Sequence, residues 1–208
     1  MKIQVVGGSL LNTNNYIVGD SNNVILIEAS AMPRDIKAVV DGRKVHAIFL
    51  THGHWDHARH IDEMANQFNA KVYAHKNAFE KIHNNEKQFA LDKPVNSQLL
   101  DENQEILQNN QILDFGFLKL KVIFTPGHTD CSVSFLIEDD EGNKALFSGD
   151  TLFYQTCGRC DMPTSSVPDM KKSLINLLSL DENLDVYPGH GVKTTIKDER
   201  KTFDYLLI

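Results

Sequence analysis

Short stretches of alternating apolar and polar residues predict strands in two groups along this 208-residue chain. The first group occupies residues 4–6, 16–18, 24–28, 47–50 and 72–74, and the second occupies residues 118–124, 133–137, 144–148 and 186–187. Apolar residues at helical spacing predict helices over 31–40, 56–68, 78–83, 168–178 and 197–205. The polar segment 84–110 gives few regular signals and is expected to be a long connection with some irregular structure. This alternation predicts a layered α/β fold and does not choose among the layered arrangements.

The densest group of polar residues directly follows the apolar stretch 46–50. The segment 51–57, THGHWDH, places His52, His54, Asp56 and His57 within six positions. Each of these polar groups would cost free energy if it were buried without a partner, and a divalent cation supplies a partner for all of them. Imidazole and carboxylate groups are the usual ligands of zinc, iron and manganese. The segment therefore predicts a metal site, in preference to a surface loop that is rich in histidine by accident.

Three further candidate ligands follow predicted strands in the second half of the chain. His128 follows the alternating stretch 118–124 and a Pro-Gly turn, Asp150 follows the apolar stretch 144–148 and a glycine, and His190 follows a second Pro-Gly pair. The tripeptide Pro-Gly-His thus occurs twice in a chain with 6 prolines. Because loops at the ends of several strands can aim side chains at one point, these residues are candidates to complete the metal coordination.

With these residues in place, the sequence resembles the metallo-β-lactamase superfamily and, within it, the glyoxalase II-like hydrolases. The resemblance runs through the whole chain and rests on motifs at residues 51–57, 125–129 (TPGHT), 148–153 (SGDTLF), 158–161 (GRCD) and 187–191 (YPGHG), with TTI at 194–196. It implies a four-layer αββα sandwich. It also implies a first metal ion on His52, His54 and His128, a second on Asp56, His57 and His190, and Asp150 as a bridge between the two.

The resemblance implies the chemistry of a dinuclear metallohydrolase. Two cations that share a hydroxide make it a nucleophile at neutral pH, because they lower the pKa of the parent water, and they also polarise the attacked carbonyl. A thiolate leaving group needs no strong general acid, since a thiol has a pKa of about 8.5. We therefore expect two divalent ions, zinc with iron or manganese as alternatives, and hydrolysis of a small thioester like an S-2-hydroxyacylglutathione, or of a related ester. Asp56 and Asp150 are the expected catalytic carboxylates.

Two other activities stay open at this point. Persulfide dioxygenases share the histidine-rich motif and a Gly-Arg-x-Asp segment, but they use one iron on two histidines and an aspartate, which here would be His52, His128 and Asp150. A phosphodiesterase or nuclease is a further alternative, which the acidic chain disfavours. A purely structural metal site is disfavoured because it would be closed with fewer ligands than the seven expected here.

Several residues outside the ligand set carry their own predictions. Arg159 stands where related hydrolases have a basic residue near the substrate, so we expect it to bind an anionic part of the substrate. Cys157 and Cys160 have CxxC spacing, but we predict reduced thiols without a function, with a redox gate as the lesser alternative. Trp55 is expected to pack beneath the metal loop. His60 lies three positions after His57 and is predicted to be an exposed helical residue, with extension of the metal site as the lesser alternative. His46, His75 and His83 are predicted to be structural or surface residues.

The chain departs from the resemblance in three places. It ends at Ile208, soon after the last motif, whereas full-length glyoxalase II has a C-terminal helical region that contributes to glutathione recognition. Cys131 stands where glycine is common, and Glu28 ends its strand where aspartate is usual. We expect residues 1–208 to form one domain without that helical extension.

Composition agrees with a globular enzyme domain, at 41% hydrophobic and 24% charged residues. A net charge of −7 without a basic stripe disfavours nucleic acid as a partner, so we expect a small-molecule substrate. We find no signal sequence and no apolar stretch of about 20 residues, and we therefore expect a cytoplasmic protein without a membrane partner. The odd number of cysteines, 3, argues against a disulfide framework.

Overall fold

The computed structural model describes residues 1–8, 11–84 and 95–206, which form two packed β-sheets and a short ribbon. Within these residues the first sheet contains, in spatial order, β1 (Lys2–Gly7), β2 (Asn14–Gly19), β3 (Asn23–Ile27), β4 (Lys44–Phe49), β5 (Val72–Ala74) and β6 (Gln104–Ile106). Strands β1 to β3 pair antiparallel, whereas β3 to β6 pair parallel. The carboxyl ends of β3 and β4 therefore meet at one edge of the sheet.

The second sheet has its own parallel pair. In the described part of the chain it contains β7 (Ile112–Asp114), β8 (Leu118–Phe124), β9 (Val133–Asp139), β10 (Lys144–Gly149), β13 (Asp185–Pro188) and β14 (Thr194–Thr195), adjacent in this order. The ribbon of β11 (Leu152–Phe153) and β12 (Thr156–Cys157) follows β10. Only β10 and β13 pair parallel within these described strands, so the segments that follow them leave the sheet side by side.

Helices cover the outer face of each sheet. The first sheet packs against α1 (Pro33–Val40), α2 (Trp55–Ala58), α3 (Ile61–Phe68) and α4 (Lys76–His83), and the second packs against α5 (Val167–Leu178) and α6 (Ile196–Thr202). Strand β3 is apolar on both faces because each face is buried in a different core. Leu26 lies in the core beneath the helices, and Ile25 and Ile27 lie in the core between the sheets. The four-layer αββα sandwich implied by the resemblance is thereby confirmed.

The structure differs from the predicted elements in its shortest parts. The single helix predicted over 56–68 is wrong, because α2 and α3 are separated at Arg59 and His60, and the His60 amide donates to the Ala29 carbonyl at 2.8 Å. Strands β6, β7, β11, β12 and β14 were not predicted, since two or three residues give no usable alternation. Of the predicted connection 84–110, residues 85–94 lie outside the described residues, and the remainder includes a 3-10 turn at Asp101–Asn103 and β6.

Candidate metal centre

The first sheet brings its polar residues to the edge where β3 and β4 end. The histidine-rich segment follows β4 after Leu50, and α2 begins at Trp55, so that Asp56 and His57 lie in a helix of four residues. The chain leaves β3 through Glu28, whose φ of 69° lies in the left-handed region. The next residue, Ala29, donates its amide to the His57 carbonyl at 2.8 Å, which ties α2 to the end of β3.

The second sheet supplies three residues to the same place. His128 lies in the turn between β8 and β9, where the Gly127 amide donates to the Thr129 carbonyl at 3.0 Å. Asp150 follows β10 and His190 follows β13, and a backbone hydrogen bond of 2.9 Å from Gly189 to Gly149 joins these two strand ends. The parallel pairing of β10 and β13 therefore determines which side chains of the second sheet enter the site.

The structure brings all seven predicted ligands together. Their donor atoms form three groups, each within 4.8 Å. We call the first group the first subsite and the third group the second subsite; the groups are His52, His54 and His128; His52, His57 and Asp150; and Asp56, His57 and His190. Each subsite takes residues from both sheets. Their role as metal ligands remains a prediction.

Distances within each subsite are short for side chains that are not bonded to one another. In the first subsite, His54 Nδ1 lies 2.9 Å from His52 Nε2 and 3.0 Å from His128 Nε2. In the second subsite, His190 Nε2 lies 3.2 Å from His57 Nε2. Two ring nitrogens at this separation can share one proton at most, so these groups cannot all satisfy one another.

Asp150 lies between the subsites. Its Oδ2 atom is 3.5 Å from His128 Nε2 in the first subsite and 3.5 Å from His190 Nε2 in the second. Its Oδ1 atom is 3.4 Å from His57 Nε2. One carboxylate therefore faces both subsites, which is the position that a bridging ligand needs.

An unsatisfied carboxylate oxygen of the site fits a divalent cation. Among the described residues, two buried side-chain atoms have no hydrogen-bond partner: Asp150 Oδ1, which faces the centre, and His57 Nδ1, which faces away from it toward Glu28 Oε1 at 3.3 Å. A buried polar atom left in this state costs about 1–3 kcal/mol, and more if it is charged. Imidazole nitrogens and carboxylate oxygens are ligands that zinc, iron and manganese all accept, so the donor set fits a divalent ion.

The electrostatic environment favours the ligand forms of the first subsite and of Asp150. Burial and the neighbouring imidazoles hold the pKa of His52 well below its ordinary value. Burial and the nearby His128 lower the pKa of His54 to about 3. Burial acts to raise the pKa of Asp150, but the surrounding imidazoles, His57 above all, outweigh it and lower that pKa. At neutral pH the first subsite therefore offers neutral imidazoles and Asp150 an ionised carboxylate, which are the forms that bind a metal. In the second subsite burial acts to lower the pKa of His57 and of His190, but the carboxylates around them outweigh it and raise both pKa values, so an ion bound there would displace their protons.

The ring nitrogen that faces away from the centre has a nearby oxygen in four of the histidines. Such contacts fix the tautomer and the orientation of a metal-binding imidazole. They join His52 Nδ1 to Thr51 Oγ1 at 3.0 Å, His57 Nδ1 to Glu28 Oε1 at 3.3 Å, His128 Nδ1 to the Arg159 carbonyl at 2.9 Å and His190 Nδ1 to the Leu11 carbonyl at 3.0 Å. The sequence did not indicate the two carbonyls, while Glu28 stood out only as a departure from the family.

Glycine allows close packing around Asp150, both among the segments that follow the second sheet and, at Gly149, against the first sheet. A side chain at Gly158 would overlap the Asp150 carbonyl oxygen, and one at Gly189 would overlap Asp150 Oδ1. Gly149 has a φ of 51°, and a side chain there would meet the Thr51 side chain. These positions require glycine because the backbone next to Asp150 has no room for a Cβ atom.

Arg159 contacts the site through its backbone. Its guanidinium makes two hydrogen bonds with Asp161, at 2.6 and 2.8 Å, and its side chain is 59% exposed. The carbonyl of Arg159 is the group that contacts His128. A role for the guanidinium in substrate binding stays a prediction.

The other residues singled out from the sequence have structural contacts. Trp55 is buried in the core beneath the helices, with the Arg59 guanidinium 5.5 Å from its ring, so the packing role is confirmed. Cys157 and Cys160 are free thiols. His60 is half-buried and precedes α3, so its assignment as an exposed helical residue is wrong. His46, His75 and His83 are half-buried and bond to neighbouring polar groups.

Comparison with known proteins identifies the family. Residues 8–190 match the model of the metallo-beta-lactamase superfamily, and the chain belongs to that superfamily. It is 33% identical over 204 residues to a hydroxyacylglutathione hydrolase of Dictyostelium discoideum, which covers 91% of this chain and 66% of that relative. The chain therefore spans slightly less than two thirds of the length of this relative.

Solved structures that are similar to this chain support the family assignment. The chain is similar to the BLEG-1 B3 metallo-beta-lactamase, with a TM-score of 0.87, 26% identity and coverage of 99% of each chain. It is also similar to TTHA1623, solved in a di-iron-bound form, with a TM-score of 0.79, 30% identity and coverage of 97% of this chain and 99% of that one. The superfamily binds metals and consists mostly of hydrolases, which supports a metal-dependent hydrolase here. Across the described residues, none of the helices has the length and apolar character that spanning a membrane requires.

Proposed function

We propose that this protein is a hydrolase with two divalent metal ions that cleaves a small thioester or a related ester. The observation that carries the proposal is the position of Asp150, whose carboxylate lies 3.5 Å from a histidine of each subsite. A single ion on His52, His128 and Asp150 would leave the donors of the second subsite without a metal ion. A two-ion centre uses all seven donors.

The ligand assignment follows the two subsites. His52, His54 and His128 would hold one ion, Asp56, His57 and His190 the other, and Asp150 both. When bound, such ions lower the pKa of a shared water and polarise the attacked carbonyl. His52 and His57 are fully buried and close the inner side of the centre to water, whereas the side chain of His190 is 26% exposed. We infer that substrate approaches from the His190 side.

A thioester is the favoured substrate class because of its leaving group. A thiolate can depart without strong acid catalysis, since a thiol has a pKa of about 8.5. The likeness to a hydroxyacylglutathione hydrolase supports an S-2-hydroxyacylglutathione-like thioester. Arg159 would bind an anionic part of that substrate if its guanidinium exchanged Asp161 for the substrate carboxylate.

Zinc is the proposed metal, with iron and manganese as alternatives that the same ligands accept. The likeness to a protein solved in a di-iron-bound form supports iron as an alternative metal. The test is the metal content of protein purified without chelator, combined with a panel of thioesters, a lactone and a phosphodiester. We expect about two equivalents of metal per chain and preferential cleavage of the thioesters. One equivalent of iron, with oxygen consumed in the presence of a persulfide, would replace the proposal with a dioxygenase.

Asp150→Asn tests the bridge itself. Because the variant keeps the shape of the side chain and removes its charge, we expect it to lose one equivalent of metal and at least about 100-fold in kcat. Asp140→Asn, at an exposed aspartate, is the matched control. Full activity of Asp150→Asn with both ions retained would refute the assigned geometry.

A further inference from the structure

Lys81 is a buried lysine outside the seven predicted ligands. It lies on α4, and its side chain is 4% exposed. Burial of a lysine costs free energy unless its ammonium group is paired. Here the ammonium donates a hydrogen bond to the Asp130 carboxylate and lies 3.6 Å from Cys131 Sγ. Asp130 stands two residues after His128, so this ion pair joins α4 to the loop that carries a predicted ligand.

The same helix also contacts the other loop of the first subsite. Gly53 lies between His52 and His54, and a Cβ atom placed on it would be 2.9 Å from the Lys81 Cβ atom and 2.9 Å from the Ala78 carbonyl oxygen. The backbone of this loop therefore packs directly on α4. Lys81 lies where α4 meets the loop of His52 and His54 on one side and the loop of His128 on the other.

A second side chain of α4 supports the same contact. Asn77, one turn before Lys81, donates from Nδ2 to Asp130 Oδ2 at 2.9 Å. The contact across the two loops is the 3.0 Å approach of His54 Nδ1 to His128 Nε2. Two hydrogen bonds thus tie the His128 loop to the same helix on which the His54 loop packs.

We propose that Lys81 is a positioning residue for the first subsite: its ion pair with Asp130 holds His128 at the distance from His52 and His54 that a metal ion requires. The inference rests on the ligand roles in the proposed function. The second subsite has different supports, namely the Glu28 carboxylate and the Leu11 carbonyl. Loss of Lys81 therefore lowers the metal affinity of the first subsite and leaves that of the second subsite unchanged.

The test uses Lys81→Met, which keeps the length and the apolar stem of the side chain. The carboxylate of Asp130 is 41% exposed, so water can solvate it when its partner is removed. Lys76→Met, an exposed lysine on the same helix, is the matched control. His54→Ala and His190→Ala serve as references for loss of the first and the second subsite.

The metal-free proteins are titrated with Zn²⁺ against a chromophoric chelator and with Co²⁺ by visible absorption. We expect Lys81→Met to bind one ion about 10- to 100-fold more weakly, the range for loss of a group that orients a ligand. Its Co²⁺ spectrum should resemble that of His54→Ala and differ from that of His190→Ala. Lys76→Met should bind both ions like the wild type.

Two outcomes separate the inference from the proposed function. Wild-type affinity and spectrum in Lys81→Met, beside a defective His54→Ala, would overturn the positioning role alone. Equal binding by the wild type and His54→Ala would overturn the ligand set and the inference together. If Lys81→Met does not fold, Asp130→Asn and Asn77→Ala carry the test, and wild-type binding by both would overturn the inference.

Discussion

The carboxylate of Glu28 gives the sharpest test of how the second subsite is supported. Glu28 is 1% exposed, and its Oε1 atom accepts a hydrogen bond of 2.5 Å from Thr51 Oγ1 and lies 3.3 Å from His57 Nδ1. Glu28→Gln keeps the shape and an oxygen that accepts from Thr51, and it removes the charge beside His57. The substitution therefore isolates the electrostatic part of the contact.

The magnitude follows from the separation and from the charge of His57 in metal-free protein. Burial lowers the pKa of His57, but Asp150, Glu28 and Asp56 outweigh it and raise that pKa well above its ordinary value. Two unit charges 3.3 Å apart attract by about 5 kcal/mol at an effective dielectric constant of about 20. Removing one partner of a buried pair costs about 3–5 kcal/mol. Because two carboxylates remain near His57, we expect about 3 kcal/mol in the free energy of unfolding.

The assay is urea unfolding of metal-free Glu28→Gln and wild-type protein, with Glu102→Gln as an exposed control. A raised pKa in the folded state gives stability that is fully present below the unfolded pKa of about 6.5 and is lost as pH rises through the folded value. The difference between the two proteins should therefore be widest just below pH 6.5 and should narrow above it. In the metal-bound protein we expect a loss of about 10- to 100-fold in affinity for one ion. Unfolding free energies within about 0.5 kcal/mol, with unchanged metal affinity, would refute the reasoning.

Three further predictions concern the loop after Asp150. Gly158→Ala should destabilise the protein by about 1–3 kcal/mol because its methyl group would overlap the Asp150 carbonyl, whereas Gly7→Ala, with nothing within 4 Å of its Cβ, should leave the Tm nearly unchanged in a thermal melt. Burial raises the pKa of the Cys157 and Cys160 thiols, so iodoacetamide should alkylate them more slowly than a small free thiol at pH 7.5 and faster as the pH rises; rapid labelling at pH 7.5 would contradict this. Arg159→Ala should raise KM for an anionic thioester more than it lowers kcat, and an unchanged KM in steady-state kinetics would exclude a substrate role for its guanidinium.

The candidate metal ligands could be predicted from the sequence because their residue types and spacing are distinctive. Segment 51–57 and the two Pro-Gly-His tripeptides stand out by residue type and spacing, and the structure brings their side chains together. The supporting groups could not be predicted in the same way. The carbonyls of Leu11 and Arg159 belong to the backbone and have no signature in residue type. The buried ion pair of Lys81 has no signal in the sequence, because its partner Asp130 is 49 positions away.

The fold was predictable where elements are long and strongly patterned. Strands β8 to β10 and helix α5 lie within a few residues of their expected positions. The break between α2 and α3 could not be predicted, because it depends on a hydrogen bond from the His60 amide to Ala29 in another part of the chain. This bond overrides the helical spacing of the apolar residues. Short strands such as β11 and β12 exist because neighbouring segments pair with them, which a single sequence does not report.

The division of each subsite between the two sheets makes the halves of this protein depend on one another. The part that ends with β6 carries His52, His54, Asp56 and His57, and the part that begins with β7 carries His128, Asp150 and His190. Neither part holds a complete subsite. A chain divided between β6 and β7 would give two fragments that share an apolar interface, and divalent ions would act as crosslinks across it. Such fragments would reassemble more tightly in the presence of metal, as a complementation pair whose association reports the concentration of free ion.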